Sequence, residues 1–234
     1  MNRSTEIISR IEQSEQDAPV KGLLKEQAYV ELKRLILARV FRPGTFLSER
    51  QLSERLEMSK TPIRAALERL EAEGFVSVSP KQGILVRELS LQEIADQFEI
   101  RAALEAFVLR RLAGKLTAEQ SARLTQNLQQ QQAAAADNDP LAASRLDADF
   151  HLMFGEFLGN QEILNVMLRL RDQNFRLINR VLSQNSPRFL PNYEEHAAIA
   201  AAVLSGQGDL AAQLLEKHLE FGRQFLLSPR QLAE

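Results

Sequence analysis

The chain has no cysteine and no tryptophan, and only 12 Phe and 2 Tyr. Without cysteine there are no disulfides, no CxxC redox centre and no thiolate zinc site. No apolar run approaches the roughly 18–20 residues of a membrane span, so no membrane partner is expected. The opening stretch, MNRSTEIISRIEQSEQDAP, has no apolar core ending in small residues, which argues against a secretory leader. A cytoplasmic protein is the expectation. HExxH, P-loop, GxGxxG and GxSxG motifs are also missing, which weighs against the commonest enzyme classes.

What is present is a helix-forming palette of Leu, Ala, Gln, Glu and Arg. At 234 residues the chain suggests one or two domains with a core that needs no covalent staples. The net charge of −2 alone argues against nucleic acid, but its distribution does not. Lys21 to Glu88 carries 13 Lys/Arg against 9 Asp/Glu, whereas Leu89 to the end carries 14 against 18. A basic first part joined to an acidic remainder points to two jobs in one chain.

Residues 1–19 are polar and are expected to be mobile. A helix fits from about Leu23 to Val40, with Ala28, Leu32, Leu35 and Ile36 on one face, and Arg42-Pro43-Gly44 breaks it. Ser48 and Gln51 make a capping box for a short helix ending near Leu56. A second short helix follows, capped by Ser59 or Thr61, with Pro62 in its first turn and Gly74 as its stop. Strand periodicity appears in Phe75–Val78 and Ile84–Arg87, which flank a basic turn, Lys81-Gln82-Gly83; no other strand is expected. From Ser90 onward the pattern is helical throughout. Caps at Ser90, Thr117, Asp139 and Asn160, then starts near Pro191 and Asp209, give six helices. The tract Gln129–Ala136 (QQQQAAAA) reads as an exposed helix end without function. The expected fold is mainly α: a helix-turn-helix with a β-hairpin over 20–88, an all-α antiparallel bundle of six or seven helices over 89–228, and a short tail over 229–234.

The second short helix carries Lys60, Thr61 and Arg64 near its start, opposite its apolar face, and Arg50 and Arg55 lie on the helix before it. Helix N-termini favour phosphate, and Arg or Lys can pair with guanine edges in the major groove. The hairpin tip would reach the minor groove or the backbone. The alternative is a small packed domain with ordinary surface charges. The hairpin directly after the helix pair, with the basic balance, favours double-stranded DNA.

These residues resemble a known family. Pro43-Gly44, then Ser48-Glu49-Arg50-Gln51-Leu52-Ser53, then Ser59-Lys60-Thr61-Pro62-Ile63-Arg64-Ala65-Ala66-Leu67, then Leu70 and Gly74 are similar to the winged helix of the GntR family of bacterial transcription regulators. The resemblance implies that Arg50, Ser59, Lys60, Thr61 and Arg64 meet the major groove and phosphates, with Gln82 and Gly83 at the wing tip. Lys60 stands where the family more often has Arg, and Ala65 where it often has Glu, so operator preference is expected to differ.

The three histidines, His151, His196 and His218, all fall in the helical part. Asp147 precedes His151 by four residues, on the same helix face. His218 shares a face with Ala211, Leu214 and Leu215. One carboxylate and three imidazoles converging in a bundle would suit Zn²⁺, Ni²⁺ or Mn²⁺, with six-coordination leaving room for water or a ligand. The alternative is three hydrogen-bonded core histidines. The segments Asp147–His151, Gly159-Asn160, Glu195-His196, Gly208-Asp209 and His218 resemble the FCD effector domain of the FadR subfamily. Its metal-bearing members use an Asp and three His, and all four positions match. Six helices lean toward the VanR-like branch.

The same resemblance places Arg101 in an effector cavity; the alternative is a surface ion pair with Glu105. Arg171 and Asn174 interrupt two apolar stripes of the fourth bundle helix: Leu164, Leu168, Phe175 and Ile178 in one, Met167, Leu170, Leu177 and Val181 in the other. Such polar groups need partners, which an anion or a metal-bound water would supply; the alternative for each is a structural hydrogen bond. A metal with an arginine suggests a small carboxylate effector. The function expected is a homodimeric regulator, a repressor, reading a near-palindromic operator and responding to that effector. The rival readings are a metal-dependent enzyme on small organic acids with an accessory DNA-binding domain, and an interaction module whose helices only dimerise.

Overall fold

A computed structural model describes residues 22–80 and 82–228. The mobile segment expected over 1–19, the tail over 229–234 and Lys81 lie outside the described residues. The chain divides into two compact units, Met1–Glu88 and Leu89–Glu234.

In the first unit, helix α1 (22–37) buries Ala28, Leu32, Leu35 and Ile36. It stops three residues before the expected Val40, because Arg39 takes a left-handed conformation (φ 57) and the N–H groups of Val40 and Phe41 both turn back to the Leu35 carbonyl. Strand β1 (Phe46–Leu47) follows. Helix α2 (Glu49–Leu56) has the full capping box: Gln51 N–H donates to Ser48 Oγ, and the Gln51 side chain accepts from the Ser48 N–H. Helix α3 (Lys60–Ala72) starts after Ser59 and buries Pro62, Ile63, Ala66, Leu67 and Leu70. Strands β2 (Val76–Ser79) and β3 (Gly83–Val86) make the hairpin, with Val76 opposite Val86 and Ser79 opposite Gly83.

The sheet is three-stranded and antiparallel, in the order β1-β3-β2. This corrects the expectation of the hairpin alone. Two residues are too few to show alternation, and β1 exists because Phe46 and Leu47 pair with Leu85 and Ile84. Gly83 makes that pairing possible. Its φ is +91°, and a Cβ there would lie 2.7 Å from the Leu47 carbonyl oxygen.

Among the described residues the second unit contains six α-helices: α4 (Leu91–Leu112), α5 (Ala118–Ala136), α6 (Pro140–Leu158), α7 (Gln161–Gln184), α8 (Phe189–Leu204) and α9 (Gly208–Leu227). Ser90 and Thr117 form capping boxes, and Asp139 and Asn160 accept from two N–H groups each. Helix α8 begins two residues before Pro191, because a 3-10 turn, Ser186–Arg188, runs directly into it. Pro191 then sits in the first turn, where a missing N–H loses no helical bond. The main packed pairs are α4 with α9, α6 with α7, α8 with α9, and α5 with both α6 and α8. Helix α6 is the most enclosed: Phe150, Met153, Phe154 and Phe157 are buried, as are Asp147 and His151. Leu168 of α7, expected to face inward, is exposed.

Candidate functional site

Each predicted metal ligand stands on a helix that turns it inward. Asp147 and His151 are one turn apart on α6, His196 is on α8 and His218 on α9. All four are buried, and one ligand atom from each lies within 4.8 Å of the others. His196 Nε2 is 3.2 Å from His218 Nε2 and 3.5 Å from Asp147 Oδ1, and His151 Nε2 is 3.8 Å from Asp147 Oδ2. Donors about 2.1 Å from a shared ion would be roughly 3.0 Å apart on an octahedral edge and roughly 3.4 Å on a tetrahedral one. The two closest pairs, at 3.2 and 3.5 Å, match such edges.

The other ring nitrogens explain the aim. His151 Nδ1 lies 2.6 Å from Glu105 Oε2, His218 Nδ1 lies 2.7 Å from Glu195 Oε2, and His196 Nδ1 lies 2.7 Å from Gln131 Oε1. Each Nδ1 meets an oxygen, so each Nε2 is turned to the common point. This is the arrangement that orients histidines toward a metal. Among the described residues His151 Nε2 is buried with no hydrogen-bond partner, an orphan that a cation would satisfy. Chemically, the group could hold a divalent metal ion.

Two guanidinium groups back the carboxylates. Arg101 Nε donates to Glu105 at 2.8 Å, and Arg188 donates to Glu195 at 2.8 and 2.5 Å. Burial alone would raise both carboxyls; the arginine and histidine beside each instead hold it down at about 2. Burial pushes the pKa of His196 well below its ordinary value, with nearby positive charge adding to the fall, and burial also lowers that of His218 against the opposing hydrogen bond to Glu195. The rings therefore favour the neutral form that a metal requires.

Arg101 is buried in an ion pair, not the surface pair given as the alternative, because its helix packs that face inward. Its Nη2 has no hydrogen-bond partner among the described residues. It lines two cavities. One, about 310 Å³ including its open mouth, also touches Glu105, His151, Arg171 and Asn174. The other, about 330 Å³ on the same measure, touches Arg188, Asn192 and His218. Arg171 and Asn174 thus meet Arg101 on one cavity wall. Arg171 also donates to Asp149 at 2.6 Å, and Asn174 Oδ1 has no hydrogen-bond partner among the described residues.

In the first unit, Ser59, Lys60, Thr61 and Arg64 are exposed along the start of α3. Arg64 Nε donates to Glu49 at 2.9 Å, and Arg50 lies 3.4 Å from Glu54, both on the surface. Exposed pairs of this kind are held weakly and can be exchanged for phosphate. Gln82 is exposed at the hairpin turn; Gly83 is the first residue of β3, where its lack of a side chain has a structural reason of its own.

Several residues of the buried group were missed by sequence reasoning. Gln131 belongs to the tract read as an exposed, functionless helix end, yet it is buried against His196. A signal existed: Leu124, Asn127, Gln131 and Ala134 repeat at helical spacing and form the buried face of α5. Glu195 and Asn192 on α8 and Arg188 just before it carried no such pattern.

The comparisons agree with this division. The family model described as "FCD domain" matches residues 96–221, and that described as "Bacterial regulatory proteins, gntR family" matches residues 24–86. The chain belongs to the GntR family, with an FCD domain. It is 28% identical to the HTH-type transcriptional repressor RspR of Escherichia coli K12, over 84% of this chain and 86% of that protein. It is also 28% identical to the Nta operon transcriptional regulator of Aminobacter aminovorans, over 77% and 83%. Among solved structures, a GntR transcriptional regulator from Rhodococcus sp. RHA1 shares the fold at TM-score 0.77 with 21% identity, over 88% of this chain and 98% of that one. This GntR protein is accordingly a DNA-binding transcriptional regulator. Among its described residues no helix is long and apolar enough to cross a membrane.

Proposed function

We propose that this GntR protein is a homodimeric repressor that holds a divalent metal on Asp147, His151, His196 and His218 and senses a small carboxylate there. The observation that carries the reading concerns His151 Nε2 and Arg101 Nη2: both are buried without hydrogen-bond partners among the described residues, and both residues line one cavity. A metal-bound carboxylate oxygen and a second oxygen on a guanidinium would satisfy both. Arg171 and Asn174 would hold the rest of the molecule. Three imidazoles and one carboxylate suit Zn²⁺, Ni²⁺ or Mn²⁺. RspR and the NanR of Cronobacter sakazakii, 28% identical over 84% of this chain and 82% of that protein, are both named repressors, which supports repression. Ile100 and Phe107 leave an apolar strip exposed on α4, which supports pairing with a second copy. Two copies would each place Arg50, Ser59, Lys60, Thr61 and Arg64 on half of a near-palindromic operator, with Gln82 and Gly83 on the wing. Such a regulator works beside the DNA, in the cytoplasm.

The test is a thermal-shift screen of small hydroxy acids, sugar acids and dicarboxylates on zinc-loaded and chelator-treated protein. A binder at 100 times its Kd adds about 2.7 kcal/mol. Stabilisation with zinc and none after chelation supports the reading, as does altered operator binding in the same acid. An acid that binds equally well without metal overturns it.

A further inference from the structure

We infer that Asn127 and Gln131 of α5 fix His196 in the Nδ1–H tautomer and so keep its Nε2 lone pair free for the metal. The inference rests on the proposed metal site and adds residues to it.

The direction of this relay is set at its far end. Asn127 lies 3.1 Å through Nδ2 from the main-chain carbonyl of Leu146. A carbonyl can only accept, so the Asn127 amide must turn its NH₂ that way. Its Oδ1 is left facing Gln131, whose Nε2 donates to it at 2.6 Å. The Gln131 amide is thereby turned too, with Oε1 placed 2.7 Å from His196 Nδ1. An oxygen there requires the ring nitrogen to carry the proton. A neutral imidazole has one N–H, so Nε2 is left as the lone pair. Phe150 stacks on the ring at 4.2 Å and 16°, which fixes its plane.

The relay matters because the opposite tautomer has a partner waiting. Asp147 Oδ1 lies 3.5 Å from His196 Nε2. A carboxylate attracts an N–H more strongly than an amide oxygen does. Without Gln131 in this orientation, the proton would move to Nε2 and point at Asp147. It would then stand where the metal belongs and occupy two of its four ligands. His151 and His218 do not face this choice, because carboxylates of Glu105 and Glu195 hold their Nδ1 protons. Gln131 and Asn127 are therefore positioning residues. Asn127 acts on the ring through the Gln131 amide.

The experiment uses ring-nitrogen NMR on the metal-free full chain labelled at histidine, with zinc affinity measured by chelator competition. Three histidines make the ring signals assignable. The wild type should show His196 as Nδ1–H. Gln131→Leu removes the acceptor, and Asn127→Ala lets the Gln131 amide turn over. Both should shift His196 toward Nε2–H and weaken zinc binding by about 10- to 100-fold. Gln131→Glu keeps an acceptor at Nδ1 and should retain the wild-type tautomer, which separates this role from packing and remains informative if Gln131→Leu does not fold. A wild-type His196 in the Nε2–H form overturns the inference, as does an unchanged tautomer in both Asn127→Ala and Gln131→Leu. If the wild type shows Nδ1–H but binds no zinc, the metal site fails while the tautomer assignment stands.

Discussion

Arg64 and Lys60 sit side by side on α3, yet their chemistry predicts different failures. Arg64 is exposed and pairs with the half-buried Glu49 on the surface, so Arg64→Ala should leave folding intact. Loss of one good base contact should weaken operator binding roughly 5- to 150-fold, and loss of a phosphate contact should lower the salt slope. Gel-shift titrations at several salt concentrations decide this; wild-type affinity at all of them would refute it. Lys60→Arg should change which bases are preferred more than it changes affinity, because a planar fork demands paired acceptors and an ammonium does not. Selection on randomised half-sites would reveal it, and identical selected motifs would exclude it.

At the scale of elements, two glycines bring neighbours close by different means. Gly83 faces a backbone oxygen across β1–β3 and has a positive φ, so neither the strand nor the residue can yield cheaply. Gly83→Ala should destabilise the first unit by about 1–3 kcal/mol and detach β1 from the hairpin. Hydrogen exchange at Val86, whose N–H donates to Thr45, is the local readout; unchanged protection there would contradict the argument. Gly155 lies where α6 meets α7, and a Cβ there would stand 2.5 Å from Met167 Sδ. A methionine end can move, so Gly155→Ala should cost less than the change at Gly83. Chemical melts of both variants rank the two.

For the whole molecule, the buried histidines link acid, metal and stability. His196 and His218 have folded pKa values below 6.5, chiefly through burial. The unfolded chain therefore binds protons that the folded chain refuses as pH drops through 6.5, and stability falls with it. Glu105 and Glu195, held at about 2 against an ordinary 4.5, extend the loss from pH 4.5 downward. Metal-free protein should melt progressively lower from pH 7.5 to pH 5, and zinc should oppose the fall until its ligands protonate. A flat melting temperature over that range would refute this. An ion at the site would join α6, α8 and α9, so His196→Ala should abolish most of the rise in melting temperature that zinc produces. Operator binding by the effector-free variant should survive, because the first unit has its own core. Stoichiometric zinc in the variant would count against His196 as a ligand.

Local chemistry alone determined the capped helix starts, the helix-turn-helix and the six bundle helices, whereas the start of α8 was set by the 3-10 turn before it. Caps at Ser48, Ser90, Thr117, Asp139 and Asn160 act within three residues, and apolar periodicity shows which face of a helix turns inward. The four ligand candidates were legible because His and Asp on inward faces need partners and because the resemblance to the FCD domain singles out the same four positions. Strand β1 was not legible, since two residues acquire an extended pairing only from β3. Gln131 was hidden as well. In sequence it belongs to a run of identical neighbours, and only its helical spacing from Leu124 and Asn127 separates it from Gln130, which is exposed. What distinguishes it is the packing of α5 against α6 and α8, which places its amide between Asn127 and His196. Hydrogen-bond direction is a property of three bodies in space, and so the aim of each imidazole was decided only by the tertiary structure.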